Sequence, residues 1–396
     1  MSVHDRPVPV NHNLLTPGVW VLLVLMAMGA CFAAYRFIFG LAASTNLDQQ
    51  YPWGIWIVAD VSFIALAAGG FTTAAIAHIF HREHYHVLAR PALVAALLGY
   101  TFACLALFAD LGKYYNIWHP LLPSMWQGNS ALFEVGMCVM CYMAVLYIEF
   151  VPVFCERYVG NRRHPWLGRL CAALNQVADK AMFLFIILGV GISCLHQSSL
   201  GHVMVLAPSK LHPLWHTPIL SLLFLMSAIV SGFPVVIFVC LCGWWALKLK
   251  PPMEILARLA KCVPVLLSIY LAFKVGDLLI RRAYVHLVPE SLQGGAFILE
   301  MVVGLLIPMI MLLSRRVRHS PPWLGVACFL VMLGVILNRA NVYLIGYHPP
   351  YTDKVYHPSL AEWGSTIGLI AGLIFLWRAI AIYFPVITPP AKPRTA

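Results

Sequence analysis

Residues 218–248, PILSLLFLMSAIVSGFPVVIFVCLCGWWALK, contain no charged side chain before the last residue, Lys248. A helix of roughly 20 apolar residues crosses a hydrocarbon core about 30 Å thick. In lipid only helices and closed barrels satisfy their backbone polar groups, and this run lacks the alternation of apolar and polar side chains that a barrel strand needs. The segment therefore predicts a transmembrane helix.

Similar apolar runs recur along nearly the whole chain of 396 residues. The sequence is 61% hydrophobic and 10% charged, and its mean hydropathy of +0.82 excludes a soluble globular domain of this length. We predict an all-α polytopic membrane protein in which residues 1–396 form a single integral membrane domain. The ten predicted helices lie at 17–40, 53–80, 90–114, 129–155, 178–198, 218–248, 257–281, 294–314, 322–342 and 361–386.

Basic residues mark alternate loops between these helices. Fourteen Lys and Arg residues lie in or beside the even-numbered loops, and six lie in or beside the odd-numbered ones. Because loops rich in Lys and Arg stay in the cytoplasm, we expect cytoplasmic termini and odd loops that face the periplasm of a bacterial inner membrane. Residues 1–16 are polar and do not resemble a signal peptide. Topology also explains the net charge of +11, so we expect no nucleic-acid partner.

Two parts of the chain share a pattern. LFADLGKYYNIWHP at 107–120, followed by GNSALFE, matches KVGDLLIRRAYVHLVP at 274–289, followed by GGAFILE. This match aligns Asp110 with Asp277 and Glu134 with Glu300. Shorter matches extend it: AGGF at 68–71 with SGFP at 231–234, and LGV at 188–190 with LGV at 333–335.

The pattern predicts a duplication of a four-helix unit. An even number of crossings between matched helices gives both units the same orientation in the membrane. We predict a first bundle at 53–198 and a second at 218–342, with flanking helices at 17–40 and 361–386.

Several ionisable side chains fall within the predicted helices, close to the odd loops. A charge in the bilayer costs about 3 kcal/mol on insertion scales and marks a candidate functional site. Carboxylates beside His and Arg are suited to the proton transfers of quinone chemistry, and aromatic rings can stack on the quinone. The candidate quinone and proton groups are Asp60, Glu134, His196 and Arg339, and the candidate pocket residues are Trp53, Trp56, Tyr114 and Asp110.

A proton path toward the cytoplasm is a further hypothesis. Glu149 lies deeper in the fourth helix and, with Asp277 and Glu300, is a candidate for this path. The alternative is structural pairing, for example of Asp110 with Lys113, or of Asp277 with Lys274 or Arg281. Asp60 and Glu134 have no basic residue within one turn in sequence, which favours a functional role for these two acids.

The 16 His and 11 Cys residues raise the question of a bound redox centre. Transmembrane haem needs facing His pairs at mid-membrane depth, and no such set is apparent. The sequence has no CxxCH motif and no four-Cys ferredoxin run. HREHYH at 81–86 is more simply explained as a solvated basic loop than as a metal site. We expect no haem, iron–sulfur cluster or metal in this chain, and an electron-carrying partner.

The sequence resembles the NrfD/PsrC family of quinone-interacting membrane subunits, most closely its HybB-like branch, over essentially the full chain. The motifs that carry the resemblance are PWGIWIVAD at 52–60, AAGGF at 67–71, RPAL at 90–93, DLGKYYN at 110–116, NSALFE at 129–134, LHQSSLG at 195–201 and HPLW at 212–215. The resemblance implies ten helices in two bundles, no haem, and an extracytoplasmic ferredoxin-like iron–sulfur subunit that connects the chain to catalytic subunits. It also implies a quinone pocket near residues 53–60.

One departure from the family concerns that pocket. Polysulfide-reductase-type relatives have an Asn and a His in this helix, whereas Ile57 and Val61 stand at the nearest matching positions here. Asp60 is a candidate substitute for them. The outward loops at 113–129, 196–218 and 338–363 are rich in Pro, His and aromatic residues, which suits a protein interface.

The leading hypothesis is a quinone-reactive subunit of a periplasm-facing complex of the [NiFe] hydrogenase kind, exchanging electrons with menaquinone or ubiquinone. Complexes of multihaem cytochromes or sulfur metabolism are alternatives for the partner. Duplicated bundles with buried acids also describe secondary transporters, although interrupted helices are not apparent in this sequence. A passive membrane anchor is the third alternative.

Overall fold

The computed structural model describes residues 9–10, 12–79, 85–159, 164–352 and 354–387. Ten helices in these ranges are long and apolar enough to cross a membrane, which confirms the predicted all-α polytopic fold. Odd-numbered membrane helices run toward one end of the molecule, which we call the odd-loop end. The opposite end is called the even-loop end. The ten membrane helices, α1 to α10, are Pro17–Phe39, Ile55–Ala77, His86–Asp110, Ala131–Tyr158, Lys180–Val205, Leu220–Ala246, Met253–Ile280, Leu292–Leu313, Pro321–Ile345 and Leu360–Tyr383.

α5 is the membrane part of a longer helix than the sequence predicts. That helix runs from Pro165 to Val205 over 41 residues. At about 1.5 Å per residue it is roughly 60 Å long, about twice the thickness of the hydrocarbon core. Polar residues such as Arg169 and Asn175 end the apolar run without ending the helix, so hydropathy placed the boundary too late.

α2 is interrupted in its middle, contrary to the expectation of unbroken helices. It consists of Ile55–Leu66 and Ala68–Ala74, followed by a π-helical turn. The interruption opens backbone carbonyls to side chains of neighbouring helices: Gln197 Nε2 donates to the Ile64 carbonyl at 2.8 Å, and Ser231 Oγ donates to the Ala65 carbonyl at 3.1 Å. Irregular backbone is tolerated within a membrane when such partners are present.

α2 crosses α6 where glycines allow close approach. A Cβ atom added to Gly69 would lie 2.9 Å from Val236 Cγ2 and 3.0 Å from the Gly232 carbonyl oxygen, and one added to Gly232 would meet the Thr72 side chain. Small residues let helices pack closely in lipid. Gly69 and Gly232 occupy aligned positions of the AGGF and SGFP motifs, so matched residues of the two sequence halves meet at this crossing. The duplication and its two bundles stay a prediction.

α1 packs along α10, and the buried Arg36 connects α1 to α3. Its guanidinium donates to the carbonyls of Ala109 at 2.7 Å and Leu111 at 2.5 Å. Carbonyls at a helix C-terminus lack partners within the helix, so Arg36 satisfies the end of α3. These contacts fix the odd-loop end of the molecule around Asp110.

The loops at the odd-loop end are joined to one another. Loop 206–219 pairs with loop 346–359 through a hydrogen bond from His212 N to the Gly346 carbonyl at 2.8 Å. Tyr51, between α1 and α2, donates to the Lys354 carbonyl at 2.6 Å. Burial raises the pKa of Tyr51, as does the charge of Asp48. Three of the five odd loops therefore form one surface.

Candidate functional site

Asp60 lies on α2, in the half of the helix nearer the odd-loop end, and is only 6% exposed. Its carboxylate makes no hydrogen bond or ion pair with any residue in the described ranges. Asp110, at the end of α3, is close enough to repel it electrostatically, and Asp110 Oδ1 is itself buried without a partner among those residues. Two acids thus approach each other, and the buried Arg36 guanidinium lies within electrostatic range of Asp110.

Further buried polar atoms without partners gather beside Asp60. Within the described chain they are Gln197 Oε1 and both ring nitrogens of His196; Tyr100 Oη and Ser193 Oγ lack a well-formed hydrogen bond but are close enough to interact with each other. The Tyr100 ring lies 5.6 Å from the His196 ring and is within electrostatic range of Asp60. Because buried polar groups are almost always hydrogen-bonded, such a group indicates a site that takes a ligand or ordered water.

Tyr142 and Glu149 extend this polar group along α4 toward the even-loop end. The Tyr142 ring meets the Tyr100 ring edge-on at 4.6 Å. Glu149 lies two turns further along α4 and faces α5, where a Cβ added to Gly189 would be 3.2 Å from its Oε1 atom. Asp60, Tyr100, Tyr142 and Glu149 are therefore arranged in a series through the interior.

Glu134 lies near the start of α4 and is exposed. It accepts a hydrogen bond of 2.5 Å from Ser199 Oγ on α5. Glu134 thus lies on α4, the helix that carries Tyr142, and its partner Ser199 lies on α5, the helix that carries His196. The exposed position of Glu134 places it at the rim rather than in the interior.

The four predicted pocket residues are only partly brought together. The Trp53 ring lies 5.4 Å from the Tyr343 ring of α9, and Tyr343 is within electrostatic range of Asp60. Trp56 is fully buried on another side of α2, where its Nε1 donates to Ser365 Oγ of α10 at 2.8 Å. Tyr114 packs edge-on against Phe37 of α1 at 4.9 Å. Trp56 and Tyr114 therefore face the flanking helices.

Glu300 is the centre of a hydrogen-bonded network in the second half of the chain, in which the carboxylate itself is fully paired, whereas Asn341 Oδ1 and Arg339 Nε are buried without a partner among the described residues. It is 1% exposed and forms a buried ion pair with Lys274. Asn338 Nδ2 donates to it at 2.9 Å, Asn341 Nδ2 at 2.8 Å and Trp215 Nε1 at 3.2 Å. Four donors from three structural elements thus compensate one carboxylate, which suits a structural role.

Arg339 joins this network rather than the group around His196. Its NH1 donates to Asn338 Oδ1 at 2.7 Å, and its NH2 to Ser227 Oγ at 3.0 Å. The guanidinium carbon lies 3.6 Å from the centre of the Phe224 ring, a close cation–π contact. Tyr343 lies within electrostatic range of both Arg339 and Asp60, and so connects Arg339 to the first half of the chain.

Asp277 forms the structural pair that the sequence offered as an alternative. Arg281 NH2 lies 2.7 Å from Asp277 Oδ2, at i,i+4 spacing, and Thr217 Oγ1 donates to Oδ1 at 2.7 Å. A narrow pocket opens beside this pair and ends at Lys274 and Asn338. It lies outside the group of unpartnered atoms, and its walls already satisfy their polar groups, so we place the candidate site at Asp60 and His196.

Sequence reasoning missed Tyr100 and Ser193, and Lys274 was weighed only as a partner of Asp277. Tyr100 sits in the run LLGYTFACL, where no charged residue signals a site. Lys274 did carry a signal, because a lone lysine within an apolar helix needs a buried acid. Its partner Glu300 lies on the next helix and so could not be found from local spacing.

Histidines at the odd-loop end are a separate feature. The His212 ring lies 5.9 Å from the His286 ring, and His348 is nearby. Burial lowers the pKa of His212, and the two neighbouring histidines lower it further. Among the described residues no group of three or more His, Cys, Asp or Glu side chains could hold a metal ion; residues 81–84 of the HREHYH segment lie outside them.

Comparison with known proteins agrees with the resemblance noted from the motifs. The family model described as polysulphide reductase, NrfD matches residues 43–348. The chain is 30% identical to the "Probable Ni/Fe-hydrogenase 2 b-type cytochrome subunit" of Escherichia coli, over 98% of this chain and 96% of that protein. It is 35% identical to a protein of Nitratidesulfovibrio vulgaris, over 95% and 96%, and 27% identical to the "Menaquinone reductase, integral membrane subunit" of the same organism, over 94% and 93%.

The Glu300 network generates a prediction about stability. Lys274→Met leaves the buried Glu300 charge without its counter-charge, and removing one partner of a buried ion pair typically costs about 3–5 kcal/mol. We expect a clearly lower thermal unfolding midpoint for the purified protein in detergent. The double variant Lys274→Met/Glu300→Gln recovers part of the loss, because a neutral amide oxygen still accepts from Asn338 and Asn341.

Lys210→Met is the matched control for this pair, because Lys210 is exposed on an odd loop. It should unfold within about a degree of the wild-type protein, since exposed charges contribute little. A Lys274→Met protein as stable as the wild type would show that the ion pair does not hold α7 and α8 together.

Proposed function

Because the chain belongs to the polysulphide reductase, NrfD family of membrane proteins, we propose that it is the quinone-reactive subunit of a respiratory oxidoreductase in a bacterial inner membrane. In this proposal it exchanges electrons between an iron–sulfur partner subunit and menaquinone or ubiquinone. The relatives named for a hydrogenase and for a menaquinone reductase support quinone-linked electron transfer. The hydrogenase name favours catalytic subunits of the [NiFe] hydrogenase kind.

The unpartnered polar groups around Asp60 and His196 carry this proposal. Reduction of one quinone consumes two electrons and two protons, and oxidation of the quinol releases them. Asp60 and His196 have no partners within the described chain and can pass protons to and from the two quinone oxygens. Tyr100 Oη can donate a hydrogen bond to one of them, and the Tyr100 and Trp53 rings can bound the quinone ring.

The iron–sulfur partner is proposed to dock at the odd-loop end. The segment that connects α3 to α4 has few charged residues and displays a set of apolar side chains that are 39–68% exposed: Tyr115, Ile117, Trp118, Leu121, Leu122, Met125 and Trp126. A contiguous apolar patch rimmed by polar residues marks an interaction site. Asp60 lies in the half of the membrane nearer the odd-loop end. An iron–sulfur cluster in a partner docked at that end would therefore be on the same side of the membrane as the quinone site.

Asp60→Asn tests the proton role. The amide keeps the shape of the carboxylate but cannot take up the proton, and loss of a general acid or base typically costs 10²–10⁴-fold in rate. We expect electron transfer from the intact complex to a soluble quinone analogue to fall by about 10²-fold or more. The measurement is the steady-state rate per assembled complex, with assembly checked by co-purification.

The control for this test is Asp48→Asn, the same change at an exposed acid whose partner is Lys354 on a neighbouring loop. It should keep the wild-type rate. An Asp60→Asn complex that assembles and also keeps the wild-type rate would favour a passive membrane anchor over a quinone site.

A proton path through Tyr100, Tyr142 and Glu149 is part of the proposal. The carboxyl of Glu149 is the last acid of this series before the even-loop end. In vesicles with entrapped pH dye, Glu149→Gln should slow proton uptake that accompanies quinone reduction, while Glu156→Gln, an exposed acid paired with Arg90, should not. Unchanged proton uptake and release in the Glu149→Gln complex would remove Glu149 from the path.

The proposed partners and the absence of haem are tested in one preparation. The tagged chain, purified in mild detergent, should bring down an iron–sulfur subunit and hydrogenase subunits, identified by mass spectrometry. The chain separated from its partners should show no absorption of b-type haem. Multihaem or sulfur-enzyme partners would keep the quinone role and change the donor, whereas purification alone without quinone activity would favour a transporter.

A further inference from the structure

A polar pocket lies at the even-loop end, where α1 begins and α6 ends. It is lined by His12, Asn13, Leu15, Thr16, Pro17 and Lys248. Arg378 of α10 holds the segment before α1 in place: it donates to the Asn13 carbonyl at 2.9 Å and to His12 Nδ1 at 3.2 Å. It also donates to the Ala246 carbonyl at 3.1 Å, so one buried cation joins α10, the end of α6 and one wall of the pocket.

Lys248 is the unusual member of this pocket. Its backbone is in the left-handed region, with φ of 57°, where a helix normally ends on glycine. The hydrogen bond of 2.7 Å from Leu249 N to the Trp244 carbonyl is the one that a left-handed residue allows at a helix end. Lys248 therefore stands at a position whose backbone conformation suits glycine better. Its ammonium makes no hydrogen bond or ion pair within the described ranges.

The surroundings of the pocket are those of a membrane boundary. Trp245, beside Lys248, is 82% exposed, and Trp20, on the first turn of α1, is 58% exposed. Tryptophans at this position of membrane helices lie at the level of the lipid headgroups. The pocket lining contains no acidic residue. One turn or more further along α1, the apolar side chains of Val21 and Val24 are exposed on the outside of the helix.

From this arrangement we infer that the pocket binds the phosphate headgroup of an anionic phospholipid. The Lys248 ammonium contacts the phosphate, Thr16 and Asn13 provide polar side chains, and the acyl chains lie along Trp20, Trp245 and the outer face of α1. The site is independent of the quinone chemistry, because it lies at the opposite end of the membrane from Asp60. The lipid would join the start of α1 to the end of α6, and Arg378 connects both of these to α10.

The test is a lipid titration of the purified complex followed by thermal unfolding. Dioleoylphosphatidylglycerol should raise the unfolding midpoint of the wild type, and dioleoylphosphatidylcholine or inorganic phosphate should not. Lys248→Gly should need about five-fold more anionic lipid for the same shift, which corresponds to one lysine at a membrane surface. Without lipid this variant should be as stable as the wild type or more so, because glycine readily adopts the positive φ.

Lys250→Ala is the matched control, since Lys250 is exposed two residues further on and does not line the pocket. It should titrate like the wild type. An equal lipid shift in Lys248→Gly and the wild type would overturn the inference. An equal shift with inorganic phosphate would show a free-anion site instead, and an equal shift with phosphatidylcholine would show that the headgroup charge is not recognised.

Discussion

The buried ion pair of Lys274 and Glu300 shows what a membrane interior requires of a charge. Moving each ion out of water costs several kcal/mol, which only a counter-charge and further donors can offset. Here Asn338, Asn341 and Trp215 complete the coordination of the carboxylate. The network fixes α7, α8 and α9 against each other and continues through Arg339 to the Phe224 ring and Ser227 of α6. The helices of the second half of the chain are thereby connected through charged and polar side chains.

The first half of the chain lacks this compensation at the positions that the predicted duplication matches. The motif matches align Leu107 with Lys274, Ser193 with Asn338 and His196 with Asn341. No cation occupies the position of Lys274, and the His196 ring is buried without a hydrogen-bond partner in the described chain. Glu300 is thus compensated by a cation and three further donors, whereas Asp60 has no such partner among the described residues. Asp60 and His196 therefore keep hydrogen-bonding capacity that the Glu300 carboxylate has already used.

Much of this fold is readable from the sequence, because hydropathy and helix length alone fix the ten spans. The rest is hidden for a physical reason: membrane helices are apolar on nearly every face, so the sequence gives the depth of a side chain but not its direction. Trp56 and Asp60 both lie in the first half of α2, yet Trp56 faces α10. Asp277 and Arg281 pair at helical spacing, as local reasoning allowed. The pairing of Lys274 with Glu300 and the interruption of α2 depend on neighbouring helices; the lone Lys274 indicated a buried acid but not which acid.

Asp60 is the residue for which stability and the proposed quinone chemistry oppose each other. The matched AGGF and SGFP motifs align it with Leu223, which is buried in α6, so an aliphatic side chain is compatible with the corresponding place in the packing. An acid there lowers stability, since it has neither counter-charge nor donor within the described chain. Residues that weaken a structure in this way persist where they do chemistry. An unpaired carboxyl and an unpaired imidazole, each close to Tyr100, suit proton transfer to a quinone, because fully hydrogen-bonded groups would have no free site for the substrate.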